Sequence, residues 1–316
     1  MKKNIAKIDN SKFHKSVLLN EVIVHLAPKN GEIYLDATFG AGGYSAAILE
    51  SAKCHVYGVD RDESAKKFAA QLEKKFPKNF TFLSGKFSES QSLLAEKGVD
   101  QVDAMIFDLG VSSMQFDEME RGFSFDSEAK LDMRMDQKNP FSAFEAVNEM
   151  KEEDLRKIIK EFGEEPKAKL IAKKIVQERK IKPITSCKEL ADIVRSLYYG
   201  YSKTDPATRT FQAFRIFVNQ ELEELKQALE ASISLLKVGG RLIVVSFHSL
   251  EDSIVKSFLK KEAGLDQERS RYVPLSLDMA KVNFRILSKS AIQPSVEELK
   301  ENNRARSSKM RVAVRV

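Results

Sequence analysis

Four short polar stretches each follow an apolar, strand-like run, and each carries residues able to hold a nucleoside or a reacting amine. The first is Gly40-Ala41-Gly42-Gly43-Tyr44-Ser45, behind "EIYLDATF". Glycines entering a helix bring backbone N–H groups close to a carboxylate or phosphate at the positive helix end. The G-x-G-x-x-G pattern of dinucleotide sites fails here at its last position, which is Ser45. A plain structural turn is the equal alternative. The second is Asp60, which ends "VYGVD". An acid at a strand tip, about 20 residues beyond a glycine loop, can accept two hydrogen bonds from a ribose diol. The third is Phe87 in "SGKFSE", able to cover an adenine face or simply to pack. The fourth is Asp108 in "DLGVSSMQFD", with Gly110, Ser112, Ser113 and Gln115 behind it. A carboxylate closing an apolar strand is costly without a donor, so a cleft is its expected place.

Chemistry is narrowed by what these strand ends lack. Methylation at carbon 5 of a pyrimidine needs a thiolate that adds to the ring. Cys54 opens the second strand and Cys187 lies in a helical region, so neither closes the fourth or fifth. An exocyclic amine needs no covalent step: acceptors that hold its N–H groups and aim the nitrogen suffice through orientation. His248 in "SFHSLED" offers a general base, or a histidine with a purely structural partner.

The elements that must position these residues alternate. "EIYLDA", "CHVYGVD", "NFTFLSG" and "VDAMIFDLG" read as strands, with helical "YSAAILESA" and "ESAKKFAAQLEKKF" between them. Such alternation predicts βαβ units and a parallel sheet covered on both faces. Residues 118–212 show only helix-like segments, including "SCKELADIVRSLYYG", with Ser186 as N-cap, Glu189 as its capping-box partner and Gly200 as C-cap. A long helix over 214–236 then leads through Gly239-Gly240 to a strand at 241–247, with late strands at 281–289 and 309–316. The expected architecture is an α/β sheet, residues 1–117 and 213–316, interrupted by an all-helical insertion.

Composition sets the outer bounds. With 316 residues, 42% of them hydrophobic, the chain can bury a substantial core, which excludes global disorder. Two cysteines without a CxxC or a His/Cys cluster fit a reducing cytoplasm and no metal. The N-terminus has no apolar stretch behind its lysines to make a secretory signal, and no run is long enough to cross a membrane. The net charge is +6, yet residues 166–215 alone hold twelve Lys/Arg against four Asp/Glu. The last seventeen residues hold six against one. Localised basicity with interspersed aromatics points towards nucleic acid, although a solvated surface explains many individual lysines.

Nine segments in order carry a specific resemblance: "HKSVLLNE", "DATFGAGGYS", "DRD", "FDLGVSSMQFD", "RGFSF", "LDMRMD", "ATRTFQAFRIFVN", "GGRLIVVSFHSLED" and "NNRARSSKMRVA". Together, and over nearly the whole chain from Phe13, they resemble the bacterial 16S ribosomal RNA cytosine-N4 methyltransferases of the MraW/RsmH type. The resemblance implies a class I, Rossmann-like methyltransferase sheet, S-adenosyl-L-methionine as cofactor, and a decoding-centre cytosine of 16S rRNA in the small ribosomal subunit as target. It implies cofactor contacts at Gly42, Gly43, Tyr44, Asp60, Phe87, Asp108 and Gln115. The chain departs from the pattern at Tyr44, where many members carry His; a ring with one polar atom leaves backbone binding of the cofactor intact. Asp108, Asp132 and His248 are then the residues placed near the target base. Lys173, Lys174, Arg209 and Arg215 in the insertion, with Arg304, Arg306 and Lys309 near the C-terminus, become the phosphate contacts. A homodimer is admitted, and a membrane partner is not expected. Two other readings stand beside this one: an NAD-dependent Rossmann-type oxidoreductase using the same glycine loop, and a non-catalytic RNA-binding assembly factor.

Overall fold

A computed structural model describes residues 16–110, 119–200, 204–265, 282–288 and 290–316. The chain divides into two compact units, Met1–Gly110 with Leu225–Val316, and Val111–Glu224.

In the first unit, α1 (Leu19–Leu26) precedes an alternating run: β1 (Ile33–Asp36), α2 (Gly43–Ser51), β2 (His55–Asp60), α3 (Lys66–Lys75), β3 (Phe80–Ser84), α4 (Ser90–Ala95) and β4 (Val102–Asp108). Five helices follow in the second unit: α5 (Ala143–Glu149), α6 (Glu152–Glu161), α7 (Ala168–Arg179), α8 (Cys187–Arg195) and α9 (Ala207–Asn219). The chain returns to the first unit within α10 (Glu221–Leu235), then forms β5 (Leu236–Ser246), α11 (Ser249–Glu262), β6 (Phe284–Ile286), α12 (Val296–Glu301) and β7 (Lys309–Arg315).

The seven strands form one sheet in the order β3-β2-β1-β4-β5-β7-β6. Strands β1 to β5 are parallel, while β7 runs antiparallel to both β5 and β6. The expected α/β sheet is therefore present, with strand order reversing between β1 and β4. Both faces are buried, which explains the uninterrupted apolar strands. Along β4, Ala104 and Ile106 enter one core cluster while Met105 and Phe107 enter the other. The helical unit has its own core, in which Leu155, Ile159, Ile171, Ile175, Leu190 and Phe214 are buried together.

Three local features differ from the sequence reading. The helix expected over 214–236 is two helices, because Gln220 takes a left-handed φ of 52° and ends α9. Gly239-Gly240 does not precede β5 but lies within it. Val102 pairs with Leu236 and Ala104 with Arg241, so Lys237–Gly240 loops out as a bulge at Gly239 φ 85°. Helix α8 starts at the predicted capping box, with Ser186 Oγ accepting from Glu189 N at 3.2 Å. It stops at Arg195, ahead of Gly200.

Candidate active site

Asp36, Asp60 and Asp108 are the last residues of β1, β2 and β4, three neighbouring strands. Parallel pairing brings their carboxyls to one edge of the sheet, at the point where strand order reverses. Open α/β sheets bind ligands at such an edge.

The glycine loop is shaped by an aromatic wedge. Gly42 has φ 77°, and a Cβ built on it would come within 2.7 Å of Phe39 Cζ. A Cβ on Gly58 of β2 would stand 2.6 Å from Phe39 Cδ2, so the Phe39 ring is held between two glycines. Phe39 also packs on Phe80, with ring centroids 5.2 Å apart. The loop is tied to β2 by Gly40 N, which donates to Asp60 Oδ2 at 2.7 Å, while Asp60 Oδ1 accepts from Asp62 N at 2.8 Å. Each oxygen keeps a second lone pair for a diol. Gly43 begins α2.

The fully buried Asp36 is a site residue that sequence reasoning missed. Its Oδ2 accepts from Ser45 Oγ at 2.7 Å, whereas Oδ1 is buried without a hydrogen-bond partner. Burial raises its carboxyl to about 6 against the opposing Ser45 hydrogen bond. Burial likewise raises Asp60. Asp108 is pushed well above the carboxylate range by burial, then by the charges of Asp36 and Glu251; the Tyr44 hydroxyl beside it opposes the shift. Asp108 Oδ1 is also buried without a partner, and its amide donates to Thr38 Oγ1 at 2.6 Å. Three clustered carboxyls, two with orphaned oxygens, resist ionisation until a positive charge joins them. S-adenosylmethionine carries positive charge on its sulfonium and its amine, and a ribose diol that suits Asp60, so these residues fit it.

The remaining predicted residues divide. Tyr44 is buried, and its hydroxyl donates to the Val17 carbonyl, anchoring the segment before α1. Phe87 is half-buried and packs edge-on against Phe107 at 5.9 Å. Gln115 lies outside the described residues. His248 caps α11 through Nδ1, which accepts from Glu251 N at 3.4 Å, while its buried Nε2 lies 3.0 Å from Glu251 Oε1. Asp132 is half-buried and gripped through both oxygens by the Arg134 guanidinium at 2.7 and 2.8 Å, which holds its carboxyl below the usual range.

Among the basic candidates, Lys173 is exposed on α7, whereas Lys174 pairs with Glu178 at 2.5 Å. Arg209 is exposed and donates weakly to the Glu164 carbonyl at 3.4 Å. Arg215 is not available as a phosphate contact, since it makes a two-pronged, largely buried ion pair with Glu221 at 2.9 and 2.8 Å. Arg304 and Arg306 are exposed, and Lys309 Nζ stands 3.3 Å from Asp252 Oδ2. Could the sequence have shown Asp36, Thr38, Phe39 and Gly58? Only Gly58, a glycine inside a strand, is a legible sign of close approach.

Residues 11–316 match the MraW methylase family. The chain is 48% identical over 304 residues to the "Ribosomal RNA small subunit methyltransferase H" of Paramagnetospirillum magneticum, covering 96% of this chain and 95% of that protein. It is 46% identical to the protein of the same name from a Wolbachia of Drosophila simulans, covering 96% and 99%. The oxidoreductase reading falls with these matches, in keeping with a Ser45 side chain already bonded to Asp36. No helix among the described residues is long and apolar enough to cross a membrane. The chain belongs to the MraW methylase family, and its methyl donor is S-adenosylmethionine.

Proposed function

We propose that the protein methylates the exocyclic N4 amine of a decoding-centre cytosine in 16S rRNA of the small ribosomal subunit, in the cytoplasm. The names of its relatives support the rRNA substrate. The observation that carries the choice of atom is the orphaned Asp108 Oδ1, an acceptor at a strand end that holds no thiol. Carbon-5 chemistry needs a thiolate, and both cysteines are buried and unsuited. Burial pushes Cys54 up to about 11 and Cys187 up to about 12.

S-adenosylmethionine supplies an electrophilic methyl group on a cationic sulfur. Asp60 would hold the ribose, and the backbone at Gly42 and Gly43 would approach the amino-acid end. Asp108 would accept an N–H of the cytosine amine at Oδ1, turning the nitrogen lone pair out of the ring plane and aiming it. The methylated amine is a strong acid, and its proton can pass to Asp108 Oδ1 or to water. Exposed Lys173 and Arg209 on the helical unit supply sequence-independent phosphate contacts in this reading.

The test incubates small subunits lacking the modification with isotope-labelled S-adenosylmethionine and maps the product nucleoside by mass spectrometry. Label on N4 of one cytosine is expected. Label on carbon 5, on a ribose oxygen or nowhere overturns the reading, and the last outcome restores a non-catalytic assembly factor.

A further inference from the structure

The first unit contains a cavity of about 330 Å³ that is separate from the three strand-end carboxyls. Its wall includes Phe247, His248 and Ser249, just beyond β5, together with Pro294, Arg306 and Lys309. Phe247 reaches back towards β4, since a Cβ on Gly110 would lie 3.4 Å from its ring. Asp108 pairs with Val245, and Leu109 N donates to the Val245 carbonyl at 2.9 Å. The cavity therefore opens one strand away from Asp108, on the same edge of the sheet.

Its charge is positive and only partly offset. Asp252, in the first turn of α11, is already held by Arg311 through Nε at 2.7 Å and Nη2 at 3.2 Å. Lys309 approaches that same carboxylate from the cavity side at 3.3 Å, so one acid faces two cations. Glu251 is engaged by the wall itself, its Oε2 accepting from Phe247 N at 2.8 Å and from His248 N at 3.3 Å. Arg306 is exposed and, among the described residues, has no ion-pair or hydrogen-bond partner. Phe247 and Pro294 add apolar surface to the same lining. A cavity this large, lined by both cations and apolar side chains, suits a nucleotide better than a lone inorganic ion.

We propose that this cavity is a subsite for one nucleotide of the substrate RNA, with its phosphodiester on Arg306 and Lys309 and its sugar or base against Phe247 and Pro294. The subsite rests on the reading of an RNA substrate but not on which atom of the RNA is methylated. It would hold unpaired RNA beside the reacting base, as expected for recognition of splayed-out single strands rather than grooves.

The experiment measures binding of small subunits lacking the modification to wild-type protein, Arg306→Ala and the Arg306→Ala/Lys309→Ala pair across a salt series, with S-adenosylmethionine binding measured in parallel. Each lost phosphate contact should lower the slope of log K against log salt by about 0.7. The double variant should bind the subunit about tenfold more weakly at moderate salt. Cofactor affinity should stay at the wild-type value, and Arg306→Lys should restore the slope. Unchanged subunit affinity and slope would overturn the subsite, as would equal loss of cofactor and subunit binding. If wild-type label falls on another atom while the slope still drops, the choice of N4 fails and the subsite stands.

Discussion

Gly40 N donates to Asp60 Oδ2 at 2.7 Å, so the acid we propose to hold a ribose also ties down the glycine loop. In that reading one carboxylate acts on loop shape and on ligand at once. Asp60→Asn keeps an acceptor for Gly40, whereas Asp60→Ala removes both functions. Cofactor affinity measured by calorimetry should fall about tenfold for the first and about a hundredfold for the second, at 1.4 kcal/mol per decade. Equal affinities in the two variants would separate the loop from the site.

Asp108 stands with one buried, unpartnered oxygen beside a buried tyrosine, an arrangement that costs stability and is retained at the sheet edge. Asp108→Ala should therefore lower methyl transfer at least about a hundredfold, a magnitude typical of losing an orienting acid–base group. The same change should leave the melting temperature unchanged or higher. Turnover of labelled cofactor and thermal unfolding check the pair of outcomes. An active variant removes Asp108 from the chemistry, and a strongly destabilised one makes it structural.

Asp36 binds its proton more tightly in the folded chain, at about 6, than at its ordinary value of 3.8. Between those values the folded state holds the extra proton. This residue's contribution to stability is accordingly largest at low pH and is lost as pH rises through about 6. Asp36→Asn removes the loss. Relative to wild type without cofactor, its melting temperature should gain about 3 °C more at pH 8 than at pH 5. A difference that does not change with pH would show that Asp36 does not titrate there.

Arg215 and Lys173 separate structure from surface within the helical unit. Arg215→Ala leaves Glu221 as an unpaired, buried carboxylate and should cost about 3 kcal/mol in denaturant unfolding. Lys173→Glu should leave stability unchanged and weaken subunit binding in a salt-dependent way. A Lys173→Glu protein that unfolds early, or an Arg215→Ala protein of normal stability, would reverse the assignment.

The strands, their helices and the polar residues at their ends were legible in the sequence because both depend on local order. Apolar runs, glycine turns and the Ser186–Glu189 capping box are written in consecutive residues. Asp60 and Asp108 stood out because each closes such a run. What only the tertiary structure decided is which charges are free. Asp132 and Arg134 are two residues apart, yet their clamp depends on the turn between them. Arg215 meets Glu221 only because Gln220 breaks the helix and redirects the chain. Asp36 looked like part of a strand, and its raised carboxyl arises from burial beside two other strand ends that sequence distance conceals. Residue type and spacing determine which groups can react. Burial and long-range pairing determine their charge, and that follows from how the sheet assembles.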